Sequence, residues 1–353
     1  MPLTVLSVSY SLAHVSRRTA GGAEQVLATL DEALVRAGHK SLVLAPAGSR
    51  SDGLLIPAQI PAGILDDGAK REARRLFKRL VNRALDDHAV DIVHMHGLDF
   101  YDCLPDREIP VVVSLHLPLT WYAPGALDGV PPEVTLVCVS ESQAQTAPSD
   151  LRIDAVVPNG VDLARFHPRR KKSNYVFALG RICAEKGLHL AIDAAERAGV
   201  DLIIAGSVFG YPEHLDYFDS MIRPRLSSHI RFIGLVGGER KVNLMAGARA
   251  LLVPSLAPET SSLVAMEALA SGTPVVAFPN GALNEIVVPR QTGFLVNNAE
   301  EMADAIGEVG SLSPSVCRRE AEERFSSTRM VAQYLDLYRS VMSPETVAQL
   351  QAV

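Results

Sequence analysis

The chain has 353 residues, 48% of them hydrophobic and 21% charged, with a formal net charge of −6. That length predicts two domains, each with its own core, and the composition excludes a disordered chain. The acidic balance argues against a general nucleic-acid binder, so no nucleic-acid partner is expected.

The four cysteines, Cys103, Cys138, Cys183 and Cys317, are widely spaced. They form neither a CxxC pair nor a disulfide framework, and they read as reduced core residues of a cytoplasmic protein. The first strand region, residues 2–10, has no basic n-region and alternates early with polar residues, so no targeting segment is expected. No apolar run approaches the ~18 residues needed to span a bilayer.

Short apolar strands alternate with amphipathic helices. Strands are predicted at 3–8, 41–45, 91–96, 111–116 and 134–139. Helices are predicted at 23–37, 69–85 and 140–147. The pattern breaks over 158–174, a turn-rich basic stretch that reads as a linker. It restarts with strands at 175–179, 201–205, 229–233, 250–253 and 274–278, and with helices between them, beginning at 187–199. Helical periodicity closes the chain from about 320. Such alternation predicts two parallel sheets covered on both faces by helices. Ligands of such sheets lie beyond the carboxyl ends of the strands.

The paired glycines Gly21 and Gly22 open a helix after the first strand. They allow close backbone approach, and the helix N-terminus offers N–H donors to an anion. Neither GxGxxG nor a Walker A motif occurs, which counts against dinucleotide oxidoreductases and P-loop enzymes. The helix at 69–85 carries an apolar stripe, with Lys70, Arg71, Arg74, Arg75, Lys78, Arg79 and Arg83 on its other face. That face is either solvated or in weak, salt-sensitive contact with anionic lipid. His94 and His96 end one strand on a single face, and no third ligand of suitable spacing accompanies them, so no metal is assigned. His116 ends the next strand, where a site residue is well placed. Arg181 and Lys186, in GRICAEKG, leave the first strand of the second half, where two cations suit a diphosphate.

The segment 253–278, VPSLAPETSSLVAMEALASGTPVVAF, is the most informative. Glu259 lies in a loop, and Glu267 lies on a helix that Thr260, Ser261 or Ser262 could cap and Gly272 could end. The helix N-terminus between the two acids suits a phosphate, and the carboxylates suit sugar hydroxyls. The alternative is a loop acid and a solvated helix acid.

This segment resembles the signature of the family 4 retaining glycosyltransferases. GRICAEKG, PNGVD (158–162), IGLV (233–236), TGFLV (292–296) and the GGAE loop extend the resemblance over almost the whole chain. The resemblance implies a GT-B fold: two doubly wound Rossmann-like α/β domains facing a central cleft. An acceptor-side domain is expected at residues 1–165 and a donor domain at 166–334, with a last helix at about 335–353 crossing back to the first. It also implies transfer of a hexose from a nucleoside diphosphate sugar (a UDP- or GDP-sugar) to a hydroxyl acceptor, with retention and without a metal or other cofactor. By resemblance Glu259 contacts the donor sugar and Glu267 the ribose. Arg181 and Lys186 meet the diphosphate, and His116 faces the sugar. Backbone near Val236 meets the base. Gly21 and Gly22 lie near the diphosphate and acceptor, and Thr260, Ser261, Ser262 and Leu263 complete the donor site. Thr260, Ser261 and Ser262 depart from the Pro/Gly, Phe/Cys, Gly usual in that loop, which bears on sugar identity. The competing readings are a nucleotide-sugar epimerase or hydrolase, and a catalytically silent nucleotide-sugar binder. A glycoside hydrolase fits less well, because its acid pair should flank a bond rather than a cradle.

Overall fold

The computed structural model describes residues 2–17, 19, 21–60 and 66–342. The chain forms two compact units. One takes the chain to Asn159 and resumes at Ser327, and the other is Gly160–Ser326.

The first unit holds strands β1 (Thr4–Val8), β2 (Lys40–Pro46), β3 (Leu54–Ala58), β4 (Ile92–Met95), β5 (Val111–Leu115), β6 (Val134–Cys138) and β7 (Ala155–Val156). Its helices are α1 (Gly22–Arg36), α2 (Asp67–Asp87) and the short α3 (Phe100–Cys103) and α4 (Glu141–Ala144). The strands are Val-, Leu- and Ile-rich because both faces of a parallel sheet are covered. They order as β3-β2-β1-β4-β5-β6-β7, all parallel. Alternate residues serve opposite faces: Leu42 and Leu44 join the core beside Phe77 of α2, whereas Val43 and Ala45 pack on Leu27 of α1. Asp66 caps α2 by accepting from the Ala69 N–H at 2.8 Å.

The second unit continues with β8 (Tyr175–Leu179), α5 (Leu188–Ala198), β9 (Asp201–Ala205), α6 (Pro212–Tyr217), β10 (Ile230–Phe232) and α7 (Gly238–Gly247). Then come β11 (Leu251–Val253), α8 (Leu263–Ala270), β12 (Val275–Ala277), α9 (Leu283–Ile286), β13 (Gly293–Leu295), α10 (Ala299–Glu308) and α11 (Pro314–Arg324). The parallel order is β10-β9-β8-β11-β12-β13. Phe177, Ile203 and Leu251 face one core, and Val176, Leu202 and Leu252 face the other. The sheet is therefore doubly wound, with its switch point between β8 and β11.

Several expectations change. β3, β7 and β13 were not anticipated. They stand at sheet ends, where the first two are only partly buried: Pro57 interrupts the apolar run LLIPA of β3, and β7 has only two residues. The helix expected at 140–147 is the single turn α4. The predicted linker is not loose. Phe166 lies in the core of the second unit, and Lys172 donates to the Ala246 carbonyl at 2.9 Å and the Thr273 hydroxyl at 2.7 Å. The closing helical run breaks after α11, where the Val161 N–H donates to the Phe325 carbonyl at 2.8 Å. The chain then re-enters the first unit through α12 (Ser327–Val341). The expected helix segment beyond 342 lies outside the described residues. Among the described residues no helix is long and apolar enough to cross a membrane.

Candidate active site

The carboxyl ends of β8 and β11, which flank the switch point of the second unit, carry Arg181–Lys186 and Ser255–Glu259. Backbone hydrogen bonds join the two loops: Leu256 N–H donates to the Glu185 carbonyl at 2.7 Å, and the Ser255 hydroxyl reaches the same oxygen at 3.3 Å. Gly187 permits this approach. Its φ is +61°, and a Cβ there would sit 2.1 Å from the Pro254 carbonyl oxygen. Lys186 Nζ thereby reaches Glu259 Oε1 at 2.6 Å, and Ser255 Oγ donates to the same oxygen at 2.5 Å. The backbone of Glu259 is held in turn by Gly281: the Ala282 N–H donates to the Glu259 carbonyl at 2.7 Å, and a Cβ at Gly281 would meet that oxygen at 2.3 Å.

Glu267 sits inside α8, between Met266 and Ala268, and is only 5% exposed. The alternative of a solvated helix acid is therefore excluded. Lys241 Nζ, from α7, donates to Glu267 Oε1 at 2.6 Å. Oε2 is buried with no hydrogen-bond partner, and so is Ser261 Oγ. Ser262 occupies the N-cap of α8, yet its side chain makes no cap hydrogen bond. Ser262 therefore supplies no hydroxyl cap, and its side chain does not cover the first-turn N–H groups. Gly272 does follow the helix end, with φ +63°. Val236 is buried, while Thr260 and Leu263 are partly exposed.

Each predicted acid has a lysine. Lys186 was expected to face a diphosphate, and here it pairs with Glu259. Arg181 is partly exposed, and its side chain makes no hydrogen bond or ion pair among the described residues. Lys241 and Ser255 escaped the sequence reading. The only local signal for Lys241 was its place in the first turns of a helix following the IGLV loop.

In the first unit, Gly21 is the N-cap of α1 and Gly22 its first residue. The Glu24 carboxylate folds back over Gly21, where a Cβ would meet Glu24 Oε2 at 1.8 Å. The dipole of α1 therefore already faces a carboxylate of this chain, which favours a hydroxyl over an anion at that spot. Burial pushes the Glu24 carboxyl up.

His116 lies one residue beyond β5, with Nε2 3.1 Å from His96 Nδ1 and the two rings stacked at 5.4 Å. His94 and His96 do share a face, with ring centroids 3.9 Å apart. His94 is fully enclosed: Nδ1 is 2.6 Å from the Tyr338 hydroxyl and Nε2 is 2.8 Å from Ser114 Oγ, which is 2.6 Å from the Tyr334 hydroxyl. Both tyrosines come from α12. Burial pushes His116 down to about 4. Burial, reinforced by neighbouring histidines, holds His94 and His96 well below the usual histidine range.

Comparison with known proteins places this fold. The family model described as Glycosyl transferases group 1 matches residues 162–325, and that described as Glycosyltransferase Family 4 matches residues 20–165. The chain is 37% identical over 174 residues to a D-inositol 3-phosphate glycosyltransferase of Mycobacteroides abscessus, covering 45% of this chain and 39% of that relative. It is 26% identical over 363 residues to a phosphatidyl-myo-inositol mannosyltransferase of Mycolicibacterium smegmatis, covering 91% of this chain and 90% of the relative. The structure of AviGT4, a glycosyltransferase involved in avilamycin A biosynthesis, aligns with TM-score 0.71 and 26% identity over 96% of this chain and 98% of that one. Sucrose-phosphate synthase from Thermosynechococcus elongatus shares the fold, with TM-score 0.80 at 19% identity over 96% and 99%. Two parallel Rossmann-like sheets and two adjoining family matches lead to one conclusion: the chain belongs to the family 4-type glycosyltransferases and has their GT-B fold.

Proposed function

We propose that this glycosyltransferase moves a hexose from a nucleoside diphosphate sugar to a hydroxyl acceptor with retention of configuration. The observation that carries the reading is Glu267. A buried carboxylate with one oxygen on Lys241 and the other without a partner suits a ribose hydroxyl donor. Glu259, held by Lys186 and Ser255 at the neighbouring strand end, would receive hexose hydroxyls. In the reaction the bond from sugar C1 to the phosphate oxygen breaks, and the nucleoside diphosphate leaves with the electron pair. The acceptor oxygen bonds to C1 on the same face, and its proton passes to the departing phosphate. Arg181 and Lys186 stabilise the charge that develops on that phosphate. His116, kept neutral by burial, would orient the sugar by hydrogen bonding. No side-chain nucleophile, metal or other cofactor is part of this reading.

The names of the relatives point to an inositol phosphate or its lipid form as the acceptor. A panel of UDP- and GDP-sugars, with inositol 3-phosphate or phosphatidylinositol vesicles as acceptor, tests both halves. One donor should raise the melting temperature and be consumed only with acceptor present. Consumption without acceptor would favour an epimerase or hydrolase. Binding without turnover under any condition would favour a silent binder.

Lipid contact belongs to the same proposal, at the cytoplasmic face of a membrane. The basic face of α2 is more neutralised than its sequence implied: Arg74 pairs with Asp102 at 2.6 Å and Lys78 with Asp106 at 2.8 Å. Arg71, Arg75 and Arg79, spaced four apart on one stripe, make no ion pair among the described residues, and they line a groove of about 440 Å³. Anionic vesicles should co-sediment the protein at low salt and release it at high salt. Absence of binding at low salt would leave a soluble acceptor.

A further inference from the structure

Three metal-ligating side chains meet at the carboxyl ends of β8 and β9. Cys183 and Glu185 lie on the turn after β8, and His214 lies on α6, which follows β9, the neighbour of β8 in the sheet. Cys183 Sγ, a Glu185 carboxylate oxygen and a ring nitrogen of His214 all lie within 4.8 Å of one another. Cys183 and His214 are buried, and Glu185 is exposed, so the cluster is open to solvent on one side.

A second observation concerns His214 alone. It is 6% exposed, and its Nδ1 is buried without a hydrogen-bond partner. The ring is held by Phe209, with centroids 6.1 Å apart, and by Tyr211, at 5.2 Å in an edge-on contact. A buried polar atom with no partner in a fixed ring calls for an occupant.

We propose that Cys183, Glu185 and His214 bind a divalent transition-metal ion, Zn²⁺ in preference, with water in the fourth position. A thiolate, an imidazole and a carboxylate make a mixed S, N, O set that suits zinc, whereas Mg²⁺ and Ca²⁺ require oxygen ligands. Tetrahedral zinc with bonds of about 2.0–2.3 Å brings its ligand atoms to about 3.3–3.8 Å from one another. The exposed Glu185 side chain is free to make up the difference. On binding, the Cys183 thiol loses its proton to solvent as the metal–thiolate bond forms, so affinity rises with pH.

The ion would fasten the turn carrying Arg181 and Lys186 to α6. Its effect on donor binding rests on the proposed diphosphate role of those cations, but metal binding itself does not.

The test uses the full chain, dialysed against a chelator and then titrated with Zn²⁺ or Co²⁺ alone. One equivalent of Zn²⁺ should bind and raise the melting temperature. The Co²⁺ form should show a thiolate-to-cobalt charge-transfer band in the near ultraviolet. Cys183→Ser should abolish the band, and His214→Gln should weaken Zn²⁺ binding at least about 10-fold. Cys317→Ser, at a buried cysteine outside the cluster, should change neither. Because Glu185 is exposed, Glu185→Gln leaves the core intact, and it should also weaken binding if the buried variants fail to fold. A wild-type Co²⁺ spectrum without the band, a band that survives Cys183→Ser, or Zn²⁺ affinity unchanged in Glu185→Gln would overturn the proposal.

Discussion

Replacing Glu267 by Gln should lower donor affinity about 10- to 100-fold while leaving most of the fold's stability. A hydrogen bond to a charged group contributes about 1.5–3 kcal/mol, and Gln removes the charge but keeps an oxygen for Lys241. Glu267→Ala is expected to be worse on both counts. It removes the partner of Lys241, whose side chain is only 15% exposed. Breaking a buried ion pair from one side destabilises by about 3–5 kcal/mol. The double variant Glu267→Leu, Lys241→Met separates structure from function. Replacing both charges by apolar groups of similar size should restore stability, because no buried charge is left alone. Donor binding should not return. The measurements are urea unfolding and isothermal titration with the donor identified by the panel. If Glu267→Gln and the double variant bind that donor as tightly as the wild type, Glu267 has no part in donor binding.

The first unit should lose stability as pH falls from 7 to 5. His116 is pushed down to about 4 by burial, and His94 and His96 are held well below their usual range for the same reason. Below about pH 6.5 the unfolded chain takes up protons at these histidines while the folded chain does not, so ν_U exceeds ν_N and stability decreases with falling pH. For His116 the loss between pH 6.5 and 5 is about 2 kcal/mol, and it levels off below its folded value of about 4. His94 and His96 steepen the slope. The one tryptophan, Trp121, lies in the first unit, so its emission in urea follows that unit rather than both. His94→Gln should reduce stability at pH 7, because it disturbs the bonds to Tyr338 and Ser114, and it should flatten the pH slope. A slope that stays the same in the variant, or stability that does not change between pH 7 and 5, would remove the histidine cluster as the cause.

The central strands and their covering helices were legible in the sequence, because a strand buried on both faces needs a run such as VVVSL and a covering helix needs a stripe such as Ala73, Phe77 and Val81. β3, LLIPA, is apolar too, but Pro57 interrupts it and only Ala58 is buried, so an end strand passed as loop. The acids were legible for a similar reason. Glu259 and Glu267 lie on one loop–helix segment, where spacing alone relates them to a helix N-terminus. Their partners were not. Lys241 is 26 positions from Glu267, Lys186 is 73 positions from Glu259, and Tyr338 is 244 positions from His94. The sequence by itself therefore determined the elements and the local motifs, since hydrophobic periodicity and turn chemistry act between near neighbours. Only the tertiary structure decided which polar groups pair. Strand order places the ends of β8, β9 and β11 side by side, and a buried charge or imidazole must then find its partner among whatever the neighbouring strand end presents.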